Sequence, residues 1–214
     1  MTESHHKQLL IFSIASSAVV FVLILLGVVY KIPAFQYDDA VGGAIRLALP
    51  AGVLPAMLFI TNLASPIVLL MIGLAAYAFL LWYRSGYYDL VLIVAIIIGG
   101  TFTVLFKWLL DVPRPMVHLL PAFDASFPSG HTAMSAVVFL VIAYAFRHEI
   151  RHTFLRALFE FACFAVIALI ALSRIYLGAH RPTEVVAGFL LGVFSVSLAL
   201  YIFRALEARA ARAL

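Results

Sequence analysis

Charge is scarce in this chain. Only 11% of its 214 residues are Asp, Glu, Lys or Arg, where a soluble domain carries about a quarter. Apolar residues make up 65%, and the mean hydropathy is +1.13. That balance excludes an ordinary water-soluble globule and points to a chain that crosses a bilayer several times. Cysteine is nearly absent as well. Cys163 alone, inside an apolar run, allows neither an internal disulfide nor a multi-cysteine metal site. There is no charged or Pro/Gly/Ser-rich linker, no internal repeat and no low-complexity segment, so residues 1–214 are expected to form a single transmembrane domain. The net charge of +4 is assigned to membrane flanks and an anionic ligand, not to a nucleic-acid surface.

What the chain does have is a series of uncharged runs. The expected spans are Gln8–Tyr30, Ser65–Tyr83, Leu90–Leu110, Ser129–Phe146, Ala157–Leu172 and Glu184–Phe203. The first is longer than a signal-peptide core and ends without a small-residue cleavage site, so it is read as a retained span. Between Pro33 and Pro50, the stretch Asp38–Leu49 puts Val41, Ile45 and Leu49 on one face. It is either a short helix lying in the interface or a plain connecting segment. The expected fold class is all-α: a polytopic membrane protein with six transmembrane helices and a short interfacial helical segment between the first two. Six spans put both termini on one face, which then holds eight of the 14 basic residues. The positive-inside rule makes that face cytoplasmic.

Six spans also gather four points on the opposite face: the end of the third, the start of the fourth, the end of the fifth and the start of the sixth. The unusual polar residues lie at those points. The first cluster runs from Lys107 to Arg114-Pro115, the second from Ser126 to His131, and the third from Ser173-Arg174 through His180 to Glu184. In the second, Pro128 is placed to open a helix, with Ser129, Gly130 and His131 in its first turn. The free N–H groups and positive dipole end of such a turn suit an anion. Lys107, Arg114 and Arg174 would hold three positive charges around one pocket, which is unfavourable alone and favourable around a phosphate dianion. Any one of them alone reads as a snorkelling flank residue; together, beside two histidines, they read as a site.

The three clusters resemble the signature of the type 2 phosphatidic acid phosphatase family, which shares its active site with vanadium haloperoxidases and glucose-6-phosphatase. The family pattern is Lys, six residues, Arg-Pro; then Pro-Ser-Gly-His; then Ser-Arg, five residues, His, three residues, Asp. Every fixed position matches except the last, where this chain has Glu184. The resemblance implies a metal-independent phosphatase without a cofactor. His180 would attack phosphorus to form a phosphohistidine, and Glu184 would orient its ring in place of the family aspartate. His131 would protonate the leaving oxygen and later activate water. Lys107, Arg114, Ser129, Gly130 and Arg174 would bind the phosphoryl oxygens. Elementary chemistry is compatible, since phosphoryl transfer needs positioning and charge neutralisation above all. Glutamate is one methylene longer than aspartate, so its carboxylate must fold back. Pro182 is expected in the first turn of the sixth span, which puts Glu184 near N3, where it would also cap the helix.

The resemblance implies an integral membrane phosphatase of bacterial type, in the inner membrane with its site facing the periplasm. It would act on a lipid phosphomonoester or pyrophosphate. Undecaprenyl pyrophosphate, phosphatidylglycerol phosphate, phosphatidic acid and lipid A phosphates are all candidates, and the pocket residues do not separate them. The alternative is a non-hydrolytic protein that binds or transports a phosphorylated lipid; it would keep the cations without needing both histidines. Protein partners are not legible. Among the remaining polar residues, His118 reads as a loop histidine, and His148 and His152 fall on the opposite face. Arg181 reads as a headgroup contact or an anchor, and Asp111 and Asp124 as partners of the site cations or as solvated loop acids. Glu160 is expected to pair with Arg156, Tyr176 and Trp108 to sit in an aromatic belt, and Phe127 to wall the pocket or pack.

Overall fold

The computed structural model describes residues 3–32, 37–83, 87–115, 119, 124–147 and 149–213. The described residues are helical nearly throughout. The helices are α1 (Glu3–Val29), α2 (Asp38–Ala48), α3 (Leu54–Leu63, entered through a short 3₁₀ turn), α4 (Pro66–Tyr83), α5 (Tyr88–Leu110), α6 (Gly130–Phe146), α7 (Thr153–Tyr176) and α8 (Pro182–Ala213). The segment after the first helix is thus helical, and the chain bends by 94° at Leu49-Pro50 between α2 and the turn that opens α3. Proline explains the break, because the residue before it is pushed out of helical backbone; Leu49 sits at ψ 136°.

Among the described residues, four helices are long and apolar enough to cross a bilayer: His5–Val29, Tyr88–Leu110, Thr153–Tyr176 and Pro182–Ala211. The bent α2–α3 pair counts as a fifth if it is one span, while Pro66–Trp82 and Gly130–Phe146 are apolar but shorter. The fifth expected span runs longer than its apolar core at both ends. Ser173 and Arg174 therefore lie on the last turns of α7 and not in a polar turn.

The centre of the bundle is α6, packed by α5, α7, α8 and α4, while α1 lies along α8 and the α2–α3 pair lies against α7. In lipid, helices gain little from burying apolar surface against each other, so close approach of small residues decides packing. The crossing of α6 and α8 shows this. A Cβ on Gly188 would fall 2.4 Å from the Ser129 carbonyl oxygen, and one on Gly192 would fall 2.5 Å from Ala136 Cβ. Outward positions such as Ile67, Met71, Val104 and Phe161 are apolar and exposed, as a lipid-facing surface requires.

Candidate active site

Four helix ends and one loop meet where the polar clusters lie. At the end of α5, Asp111 takes a left-handed backbone (φ 43°), which aspartate tolerates better than most residues. Its N–H closes on the Lys107 carbonyl at 3.2 Å, ending the helix one turn beyond Lys107. Helix α6 starts two residues later than expected, with Ser129 as its N-cap and Gly130 as its first residue. Pro128 precedes it through a cis bond. Phe127 is wholly buried against Phe21, with ring centroids 5.7 Å apart, and packs without walling the pocket. The Ser129 N–H donates to the Glu184 carbonyl at 3.0 Å, which ties the start of α6 to the start of α8.

Between α7 and α8 the chain turns within five residues. Gly178 adopts φ 66°, a region glycine enters without a steric penalty. The N–H groups of Ala179 and His180 both donate to the Arg174 carbonyl, at 3.0 and 3.2 Å. One residue therefore anchors the backbone that carries His180, and its own side chain points elsewhere. Arg174 Nη1 donates to Thr61 Oγ1 of α3 at 2.7 Å. Its Nε is buried with no partner among the described residues.

His180 is buried at 2% exposure. Its Nδ1 lies 3.1 Å from Glu184 Oε2 and its Nε2 lies 3.4 Å from Arg114 Nη1. With Nδ1–H donated to the carboxylate, Nε2 keeps a lone pair beside a guanidinium. Burial pushes the imidazole down to about 4 from an ordinary 6.5. Glu184 pulls the other way, while the charges of Arg174 and Arg114 reinforce burial. The ring is neutral at physiological pH and so has a nucleophilic nitrogen.

Glu184 sits third in α8, as expected, and its Oε2 also accepts from the Arg181 N–H at 3.1 Å. That is the helix-side half of a capping box. One carboxylate thus caps the helix and meets the imidazole, and the two readings coexist. The Ser126 hydroxyl donates to the same Oε2. Arg181 is held by protein groups on three sides. It pairs with Asp39 at 2.9 Å and with Glu184 Oε1 at 3.0 Å, and donates to the Pro113 carbonyl at 2.8 Å. Asp38 of α2 accepts from both the N–H and the hydroxyl of Thr183. Helix α2 therefore supplies a cap to α8 from outside.

The other two cations share one carboxylate. Asp124 stands 2.8 Å from Lys107 Nζ and 2.5 Å from Arg114 Nη2. Partial burial opposes its ionisation, but the hydrogen bonds and charges of Lys107 and Arg114 outweigh it and hold the carboxyl well below the usual range. Lys107, Arg114, Asp124, Gly130, His131 and His180 line a cavity of about 790 Å³. It continues between α4 and α5 past Leu70, Gly73, Leu74, Tyr77, Ile97 and Val104. Ser129 falls outside that lining, and its hydroxyl is 3.0 Å from Thr132 Oγ1.

Several other expectations resolve differently. Glu160 meets Arg147 at 3.6 Å, across the turn, and not Arg156. Tyr176 is buried with Met57 and Leu177 and takes no part in an aromatic belt, whereas Trp108 is exposed. His118 and His148 lie outside the described residues. Ser126, Thr61 and Asp38 escaped the sequence reading as partners of the site. Thr61 did carry a signal, as one of two polar residues inside an apolar run.

Three polar clusters converging on a buried, carboxylate-bound histidine define a phosphatase class, and sequence comparison gives the same answer. The sequence model of the PAP2 superfamily matches residues 88–208, and the chain belongs to that superfamily. It is a membrane lipid phosphatase of bacterial, metal-independent type. Its relatives include phosphatidylglycerophosphatase B of Bacillus subtilis strain 168, 30% identical over 182 residues, which cover 83% of this chain and 88% of that one. The catalytic subunit 1 of glucose-6-phosphatase from Rattus norvegicus is 32% identical over 124 residues, 45% of this chain and 35% of its own. Among solved structures, a transmembrane PAP2 type phosphatidylglycerolphosphate phosphatase from Bacillus subtilis shares the fold. Its TM-score is 0.79 at 23% identity, covering 92% of this chain and 97% of that chain. LpxE of Aquifex aeolicus superposes with a TM-score of 0.63 at 25% identity, covering 75% and 93%. Membership in a phosphatase family displaces the reading of a non-hydrolytic lipid carrier.

Proposed function

We propose that this protein removes a phosphate from a lipid headgroup at the outer face of a bacterial cytoplasmic membrane, through a phosphohistidine on His180. One observation carries the reading. The His180 ring is bound to Glu184 through Nδ1 and turns Nε2 toward Arg114, in a cavity that also holds His131. In the first step, the Nε2 lone pair attacks phosphorus and the bond to the lipid oxygen breaks. His131 gives that oxygen a proton. Water then attacks the phosphorus of phosphohistidine while His131 takes its proton, and inorganic phosphate leaves. Glu184 holds the tautomer and stabilises the imidazolium character that develops at Nδ1.

Lys107 and Arg114, with the first turn of α6 at Gly130, neutralise the phosphoryl oxygens, and Arg174 adds its positive charge from outside the cavity lining. The N–H of Ser129 is already given to Glu184 and its hydroxyl bonds Thr132, so a phosphoryl contact from Ser129 would need that hydroxyl to turn from Thr132. The apolar reach of the cavity between α4 and α5 suits a substrate whose tails stay in the bilayer. Helices α4 and α6, of 18 and 17 residues, lie within the range that spans a bilayer with α1, α5, α7 and α8. The reading therefore keeps six spans in one domain, and the excess of basic residues on the terminal face supports cytoplasmic termini. Phosphatidylglycerol phosphate stands first among the substrates because of the substrate named for the Bacillus relatives, with undecaprenyl pyrophosphate, phosphatidic acid and lipid A phosphates as competitors. The test is phosphate release from those four lipids by purified protein in mixed micelles. Release that survives chelator and stops with vanadate or His180→Ala supports the reading; release unchanged in His180→Ala contradicts it.

A further inference from the structure

The acid between Lys107 and Arg114 needs its own account. All three nitrogens of the Arg114 guanidinium are engaged. Nε donates to the Asp124 carbonyl at 3.1 Å, Nη2 pairs with the Asp124 carboxylate at 2.5 Å, and Nη1 donates to the Ala179 carbonyl at 2.6 Å while facing His180. Lys107 Nζ is shared between the Asp124 carboxylate and the Ala125 carbonyl. A phosphoryl group seated against these two cations therefore competes with the acceptors already on them. The backbone carbonyls belong to the turn that carries His180 and to the segment leading into α6. The carboxylate does not: its side chain is 59% exposed, against 11% for Arg114 and 16% for Lys107.

We propose that Asp124 is a displaceable counter-ion of the phosphate subsite, its carboxylate occupying Lys107 and Arg114 until a phosphoryl group takes its place. The proposal rests on the reading that these two cations bind the phosphoryl oxygens. Electrostatics sets the direction of the exchange. Lys107 and Arg114 line one cavity with the Arg174 charge near enough to repel Arg114, and a single carboxylate relieves part of that repulsion in the resting enzyme. A phosphate monoester carries about −1.5 to −2 near neutral pH and three acceptor oxygens, so it outcompetes a monoanion with two. The displaced carboxylate regains water at an exposed position, where an ion pair is worth little. Arg174 contrasts with the other two. It is scaffold-held through Thr61, with a buried Nε that needs no displacement. Asp124 thereby sets affinity: every anion entering the subsite binds against its competition.

The experiment compares the purified parent, Asp124→Asn, Asp124→Ser and Arg114→Ala in detergent, each with its melting temperature. Readouts are the inhibition constant of inorganic phosphate and the KM of a lipid phosphate. Loss of the counter-ion is expected to lower the phosphate inhibition constant about five- to tenfold, with KM falling in the same direction. An inhibition constant unchanged or raised in whichever Asp124 variant folds overturns the proposal. Arg114→Ala separates the two levels. If it binds phosphate as the parent does, the subsite reading itself fails. If it loses phosphate while the Asp124 variants bind no tighter, only the counter-ion fails.

Discussion

At the scale of single residues, the account turns on what Glu184 does for His180. Its Oε2 accepts from the imidazole, the Ser126 hydroxyl and the Arg181 N–H at once. Removing only the negative charge should leave the ring present but with the wrong tautomer accessible. Glu184→Gln is therefore expected to lose about 10²-fold or more in kcat with KM little changed. Glu184→Ala should lose most activity and Glu184→Asp should retain more than either; an alanine variant as active as the parent contradicts the orienting role. The pH profile tests the same pair. His180 must be unprotonated to attack and titrates at about 4, so kcat/KM falls as pH drops through that value. Once the substrate's own phosphate ionisation is subtracted, an acid limb near 6.5 assigned to His180 contradicts it. The histidines and cations were legible from their spacing. Ser126 stood inside the same hexapeptide, but no spacing rule says that its hydroxyl meets a carboxylate 58 residues away.

At the scale of elements, the bent α2–α3 pair positions the site from outside the region that matches the family. Thr61 holds Arg174, and Asp38 caps α8 beside Glu184. Thr61→Val keeps the shape and removes the acceptor. A hydrogen bond to a charged group contributes about 1.5–3 kcal/mol, so kcat/KM should drop about tenfold or more. Thr61→Ser should restore it, and a valine variant with parental kcat/KM would show that Arg174 needs no such tether. Most helices were readable because long uncharged stretches, such as those between Lys7 and Lys31 and between Asp124 and Arg147, have few other uses in a chain this apolar. Their ends were less readable. α7 and α8 continue past the apolar core into polar residues that remain helical for lack of a breaker, while α6 begins only at Gly130, after Ser129 in extended backbone. The contact between α6 and α8 depends on Gly188 and Gly192, spaced four apart. That signal was present in the sequence, but the partner surface at Ser129 and Ala136 is fixed only by tertiary packing.

At the scale of the molecule, the cavity joins a charged end to an apolar reach between α4 and α5. Lipid tails are expected to lie along that reach. Gly73 lines it, and a Cβ there meets only Ile96 Cδ1 at 3.8 Å, an ordinary contact. Gly73→Phe is therefore expected to fold, to lose turnover of a long-chain lipid phosphate at least tenfold, and to keep most hydrolysis of a short water-soluble phosphate ester. Equal loss on both substrates would remove the tail path from the account. The chemistry itself is tested most directly by rapid acid-free quench of the enzyme with a radiolabelled lipid phosphate, followed by mapping of the labelled peptide. The account predicts a transient, alkali-stable and acid-labile phosphoryl group on His180, formed and lost at rates that match turnover. Label on another residue, or turnover with no label on His180 at any time, contradicts it.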